Sequence, residues 1–284
     1  MARILLGHRD GALAIRLART VLSDLTAEWP DVQLALRTLS GAPTDDADPV
    51  LQALTDGKIG LGVVACEGLR AVLPEGVTLV AVTKRVEPRL ALVSKSTLSL
   101  DALPEGARVG VGASRDVPFL RSGFAVGETE IVGSDVDGAL GRLAIGELDL
   151  LVLPASTLIM MERRDHIRVL LEPEALPPAP GQGCLALVAR SDDDLAGEVG
   201  YTLQHRHSYD RVRAERAFAA GLPGQALGAL ATVSDEGELT LFGAVAAEHT
   251  TLQAFVSGEA REAEELGSEL ARDVAKQLSA LASG

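Results

Sequence analysis

The chain runs twice through one cycle: a short unbroken apolar strand, a turn rich in Gly, Ser and Arg, then a stretch with helical spacing. The first cycle opens with residues 3–7 (RILLG), a turn at HRDG, and apolar residues at helical intervals over 12–25. Strand signals follow at 32–36 and 59–65, with a helix at 49–55 that Asp48 caps and Gly57 stops. The second cycle opens at 108–111, turns through VGASRD, and continues with helices at 117–123 and 135–145 and strands at 130–132 and 148–153. Strands with no polar alternation belong in sheets buried on both faces. Strand–helix alternation of this kind predicts α/β architecture with two doubly wound lobes.

The rest of the chain breaks the pattern. PEALPPAPGQG (173–183) reads as a crossover or hinge, and CLALVAR (184–190) as a further strand. A charged helix at 211–220 precedes three antiparallel strands at 229–233, 239–246 and 252–257. A long amphipathic helix over 262–281 ends the chain. The expected domains are lobe one at 1–84 and 181–206, lobe two at 85–180, and a small α+β C-terminal domain at 207–284. A length of 284 residues suits two or three domains.

Composition narrows the function. The formal charge of −14 argues against a nucleic-acid or anionic-membrane surface, since both call for basic patches. Cys66 and Cys184 are too few for a disulfide framework and match no metal-ligand spacing, so no metal is expected. They read as small buried residues, with a covalent ligand anchor as the alternative. The His205-x-His207 pair reads as a surface loop or helix start. The acidic runs at 44–48 and 191–194 read as solvated loops. The N-terminus, MARILLGHRDGALA, reads as neither a signal peptide nor a membrane span, which makes the cytoplasm the expected compartment.

Several co-linear segments resemble hydroxymethylbilane synthases (porphobilinogen deaminases). GHRDGALA at the N-terminus is similar to the family's GTRxSxLA, and RVEPRLALVS (85–94) to REDPRDALVS. GRLAIGELD (141–149), PAPGQGCLAL (178–187), VRAERAF (212–218) and the C-terminal LFGAVA also follow family motifs. The resemblance implies two lobes like periplasmic binding proteins plus the small third domain. It implies an enzyme that joins four porphobilinogen molecules on a dipyrromethane primer, held covalently by a third-domain Cys. It also implies a proton-handling Asp, and a ring of Arg and Lys for the carboxylates of primer and product, which bidentate Arg suits well.

The residues that would carry this chemistry are the ones that differ. Set against HSLKDLPTxLPxG, the chain reads VACEGLRAVLPEG (64–76), so Gly68 stands at the catalytic Asp and Glu67 at the preceding Lys. Ala226 stands at the anchoring Cys. In the basic ring, Asp116 replaces one Arg beside Arg115, Gly133 and Ala139 replace two more, Asp135 replaces the Asn of that motif, Asp48 replaces a Lys and His166 an Arg. Arg9 matches the Arg of GTR. The surviving candidates for cofactor binding are Arg9, Arg115 and Gln182. The competing reading pairs the two arginines with new neighbours such as Glu67 or Asp116, and makes Gln182 part of a structural turn.

The sequence therefore predicts a homologue in tetrapyrrole biosynthesis that has lost the standard dipyrromethane-dependent polymerisation, with no catalytic residue assigned and no cofactor expected. Two alternatives stand beside it. One is an active synthase with a different primer attachment and proton relay. The other is a two-lobed module binding a neutral or cationic small molecule in the interlobe cleft.

Overall fold

The computed structural model describes residues 2–41, 48–95, 100, 103–104, 106–124, 126–247 and 250–282. The chain divides into two compact units, residues 1–85 with 184–209 and residues 86–183 with 210–284.

The first unit begins with β1 (Arg3–Arg9), α1 (Ala12–Glu28), β2 (Gln33–Leu39), α2 (Pro49–Thr55), β3 (Leu61–Ala65), a 3₁₀ turn at Cys66–Gly68, and β4 (Val77–Val82). The chain then builds most of the second unit from β5 (Leu90–Ser94), β6 (Arg108–Val111), α3 (Asp116–Gly123), β7 (Glu128–Ile131), α4 (Val136–Ile145), β8 (Leu150–Pro154), α5 (Ala155–Met160) and β9 (Val169–Leu170). It returns to the first unit with β10 (Leu185–Arg190) and α6 (Asp194–Tyr201). The helix α7 (Arg206–Ala220) leads into β11 (Leu227–Val233), β12 (Glu238–Ala247), β13 (Thr250–Glu259) and α8 (Ala263–Ala282).

The first sheet has the order β2-β1-β3-β10-β4, with β1 parallel to β2 and β3 and β10 antiparallel to both its neighbours. The second has the order β7-β6-β8-β5-β9, with β6 parallel to β7 and β8 and β5 antiparallel to both its neighbours. The doubly wound character read from the sequence is present in both. Every residue of β5 is buried, as an apolar run covered on both faces should be. The third sheet, β11-β12-β13, is antiparallel throughout, and α8 packs on it through Leu266, Leu270 and Val274. Phe242 and Ala244 of β12 belong to the core of the second sheet, beside Leu90, Val109 and Phe119. The small sheet and the second doubly wound sheet thus share apolar burial.

Local chemistry explains the helix starts. Asp48 accepts from the backbone N–H groups of Val50 (2.8 Å) and Leu51 (3.3 Å), and Pro49 occupies the first helical position of α2. Asp135 caps α4 through Gly138 N–H, and Gly146 closes that helix in the left-handed conformation. The acidic run at 191–194 is no plain loop. Asp193 caps α6 through Ala196 N–H, and Asp194 is the helix's first residue. Residues 44–47 of the other acidic run lie outside the described residues. The charged helix expected from 211 starts five residues earlier, where His205 Nδ1 and Ser208 Oγ lie 2.9 Å apart at its first turn.

Candidate functional site

In a doubly wound sheet the connections leaving a central strand diverge to its two sides, and the gap at the carboxyl ends becomes a crevice for ligands. In the first sheet this point lies between β1 and β3, and in the second between β6 and β8. One surviving arginine follows the central strand in each: Arg9 is the last residue of β1, and Arg115 stands four residues beyond β6.

Arg9 is already engaged. Its Nη2 donates to the Gly68 carbonyl at 2.8 Å and forms an ion pair with the Asp48 carboxylate. Asp48 is buried and also caps α2, so its position is fixed by the helix it starts. A Cβ added at Gly68 would lie 2.7 Å from Arg9 Nη1. The guanidinium therefore fills the room where the proton-handling side chain of the resemblance would begin.

Glu67 occupies the 3₁₀ turn at the end of β3. Its Oε2 is buried and has no hydrogen-bond partner among the described residues. Burial raises its carboxyl to about 7, against the pull of its own backbone N–H and the positive charges of Arg85 and Arg9. Arg85 Nε donates to Cys184 Sγ at 3.3 Å, and Cys66 N–H donates to the Cys184 carbonyl at 3.0 Å. Both thiols are buried in the reduced form.

In the second unit Arg115 is bound on every side. Nη1 donates to Asp116 Oδ1 (2.8 Å), Nη2 to the Pro177 carbonyl (2.7 Å) and Nε to the Leu227 carbonyl (2.9 Å). Its guanidinium also lies 5.4 Å from the Phe119 ring centroid. Burial lowers the Arg115 pKa and raises that of Asp116, while the charge of each opposes that effect on the other. Position 226 immediately precedes Leu227, and Ala226 carries no sulfur. Ala139, at another ring position, is a core residue of α4 beside Leu143 and Leu153. Asp135 and Asp48 serve as helix caps.

Gln182 is 2% exposed; its Oε1 accepts from Ala179 N–H and its Nε2 donates to the Pro88 carbonyl. In the same turn Gly181 N–H donates to Glu215, a fully buried carboxylate that also accepts from Ala231 N–H. Arg9 thus lies in the first unit and Arg115 and Gln182 in the second. The partner of Arg115 is the one the sequence suggests, whereas that of Arg9 is Asp48 rather than Glu67. Sequence reasoning missed this pairing because it joins residues 39 positions apart. The only signal for it was that Asp48, like Glu67 and Asp116, falls on a position where the resemblance places a cation.

Residues 4–198 match a family model described as porphobilinogen deaminase, dipyromethane cofactor binding domain. The porphobilinogen deaminase of Thermus thermophilus is 37% identical over 98% of this chain and 97% of its own. The chain belongs to the porphobilinogen deaminase family. The enzyme of Deinococcus radiodurans is 34% identical over 96% of each chain, and that of Chromobacterium violaceum 32% identical over 98% of this chain and 94% of its own.

The family match corrects one expectation. The sequence alone led to the expectation of no cofactor, on the ground that Ala226 lacks the anchoring sulfur. The matched residues are themselves described as a cofactor-binding domain, and Ala226 lies outside them. An alanine at position 226 does not carry the absence of the group, because charge and hydrogen bonds also hold ligands. The residues that the resemblance assigns to that group are otherwise engaged in this chain. The guanidiniums of Arg9 and Arg115 are bonded to Asp48 and Asp116, and position 226 offers no sulfur.

Proposed function

We propose that this porphobilinogen deaminase homologue of tetrapyrrole biosynthesis no longer carries out the standard dipyrromethane-dependent polymerisation of porphobilinogen. One observation carries the reading. Each surviving arginine of the family's carboxylate-binding ring is held by an aspartate that stands where the resemblance places a cation. A growing chain of acetate and propionate groups would have to displace Asp48 and Asp116, both buried, and leave their charges unpaired. Gly68 supplies no side chain to move a proton at the pyrrole nitrogen.

The test is incubation of the purified protein with porphobilinogen, followed by acid oxidation. The expected result is no porphyrin above the protein-free control. Porphyrin formation proportional to protein would overturn the proposal. A second reading, capture of a neutral or cationic small molecule, is favoured by one observation, the unpartnered carboxylate oxygen of Glu67.

A further inference from the structure

The two cysteines of the chain, far apart in sequence, meet in the first unit. β3 and β10 pair antiparallel with Val64 opposite Ala186 and Ala65 opposite Leu185, and the next pair in that register is Cys66 with Cys184. The ladder reaches it, because Cys66 N–H donates to the Cys184 carbonyl at 3.0 Å. Residues directly opposite each other in an antiparallel ladder turn their side chains to one face, with Cα atoms about 5.5 Å apart where they share hydrogen bonds. That spacing lies inside the range of about 4.4–6.8 Å that a disulfide spans. Alternation settles the face. Ala65 and Leu185 belong to the core that α1 and α6 cover, so Cys66 and Cys184 stand on the opposite side of the sheet, with Val64 and Ala186.

We propose that Cys66 and Cys184 are an oxidation site of the first unit, converted by a peroxide into an internal disulfide that joins the end of β3 to the start of β10. Arg85 Nε donates to Cys184 Sγ at 3.3 Å, and a guanidinium at sulfur stabilises the thiolate, the form that attacks. The Cys184 thiolate attacks one peroxide oxygen and the O–O bond breaks. This leaves a sulfenic acid and a hydroxide, which takes up the proton the thiol released. The Cys66 sulfur then attacks the sulfenic sulfur, the S–O bond breaks, and hydroxide leaves as water with the Cys66 proton. The two thiols lose two electrons, and the peroxide is reduced to two waters. Cys66 is 2% and Cys184 1% exposed, so the oxidant enters when the strand ends open, which favours a small one. Both residues lie just beyond their strands, and the chain after Cys66 turns at once to the half-buried Glu67 and the exposed Gly68. The disulfide needs the two Cβ atoms about 1 Å closer than a ladder pair holds them, and at the end of a ladder little else has to follow. Once formed, it ties down the 3₁₀ turn whose Gly68 carbonyl accepts from Arg9.

The experiment treats the reduced full chain with hydrogen peroxide under native conditions, removes the peroxide with catalase, and labels with N-ethylmaleimide in urea before intact-mass measurement. The reduced chain should take two labels. The oxidised chain should take none, weigh two hydrogens less, and recover both labels after dithiothreitol. Digestion should yield one linked pair of peptides carrying Cys66 and Cys184, and the urea midpoint of the oxidised chain should lie above that of the reduced one. In Cys66→Ala the reaction should stop at a sulfenic acid on Cys184 that dimedone traps. Arg85→Met should form the same bond about tenfold more slowly, since less thiolate is present to attack. Should either variant fail to fold, the wild-type mass and peptide map decide alone. Two labels retained after peroxide, sulfinic acid in place of the lost hydrogens, or disulfide-linked dimers as the only oxidised product would each overturn the proposal.

Discussion

Replacing Glu67 by Gln should change how stability depends on pH. In the folded chain the Glu67 carboxyl is raised from 4.5 to about 7, with burial as the leading cause. The folded state therefore holds this proton more tightly than the unfolded state. Below pH 4.5 both states carry it, and the stabilising contribution is complete. Between 4.5 and about 7 the unfolded chain gives it up first, so stability falls as pH rises. A tenfold difference in proton affinity between the two states corresponds to about 1.4 kcal/mol, which puts the whole loss at about 3 kcal/mol. Solvent reaches part of the side chain, so that figure is an upper bound. Glutamine mimics the protonated acid and has nothing to lose. Urea unfolding midpoints measured for both proteins from about pH 4.5 to about pH 8 should diverge steadily, with the wild type falling relative to the variant. Asp116 is also raised by burial, but it is present in both proteins and cancels in the difference. Parallel curves across that range would refute the argument that Glu67 is desolvated without compensation.

Arg115→Met leaves the Asp116 carboxylate buried without its cation, and should cost about 3–5 kcal/mol in urea unfolding. Adding Asp116→Leu to that variant should recover much of the loss, because the uncompensated charge goes with it. Gly267→Ala places a Cβ 2.2 Å from the Ala214 carbonyl oxygen, where α8 crosses α7. The backbone on the far side cannot move aside as a flexible side chain could, so the thermal midpoint should fall by the equivalent of about 1–3 kcal/mol. Gly68→Asp restores the carboxylate of the resemblance but sets it against the Arg9 guanidinium, which Asp48 still holds. Porphobilinogen consumption should stay at background in this variant, and measurable turnover would refute the argument that the Arg9–Asp48 pair blocks the site.

The doubly wound sheets were legible because their cause is local. Runs such as LALVS and LLVLP admit few fates but burial on both faces, and the two Gly/Ser/Arg turns mark where each cycle restarts. What escaped was short or capped by residues that read as surface. The helix α6 hides behind SDDD, where a cap and a solvated loop share one composition until Asp193 is seen accepting from Ala196 N–H. The two-residue strand β9 has too few positions for any period to register. At the site, the sequence could say which residues differ from the resemblance but not what they do to the arginines beside them. Asp48 is a helix cap by local pattern and a reversed charge by resemblance. Only the fold shows one carboxylate doing both, one oxygen holding the start of α2 and the other holding Arg9.

That double duty bears on what a substitution at position 48 would do. A Lys at position 48 would release Arg9, but it would also uncap α2, at a cost of about 0.5–2 kcal/mol. An Arg at 116 would place a second guanidinium beside Arg115, whose three hydrogen bonds reach Asp116, the Pro177 segment and the start of β11. In both units the aspartate that neutralises the arginine is part of the local architecture, so a substitution that removes it is opposed by stability. The net charge of −14 is then more than surface solubility. Part of it consists of buried aspartates paired with Arg9 and Arg115, and an anion approaching either guanidinium has to compete with a carboxylate already in place.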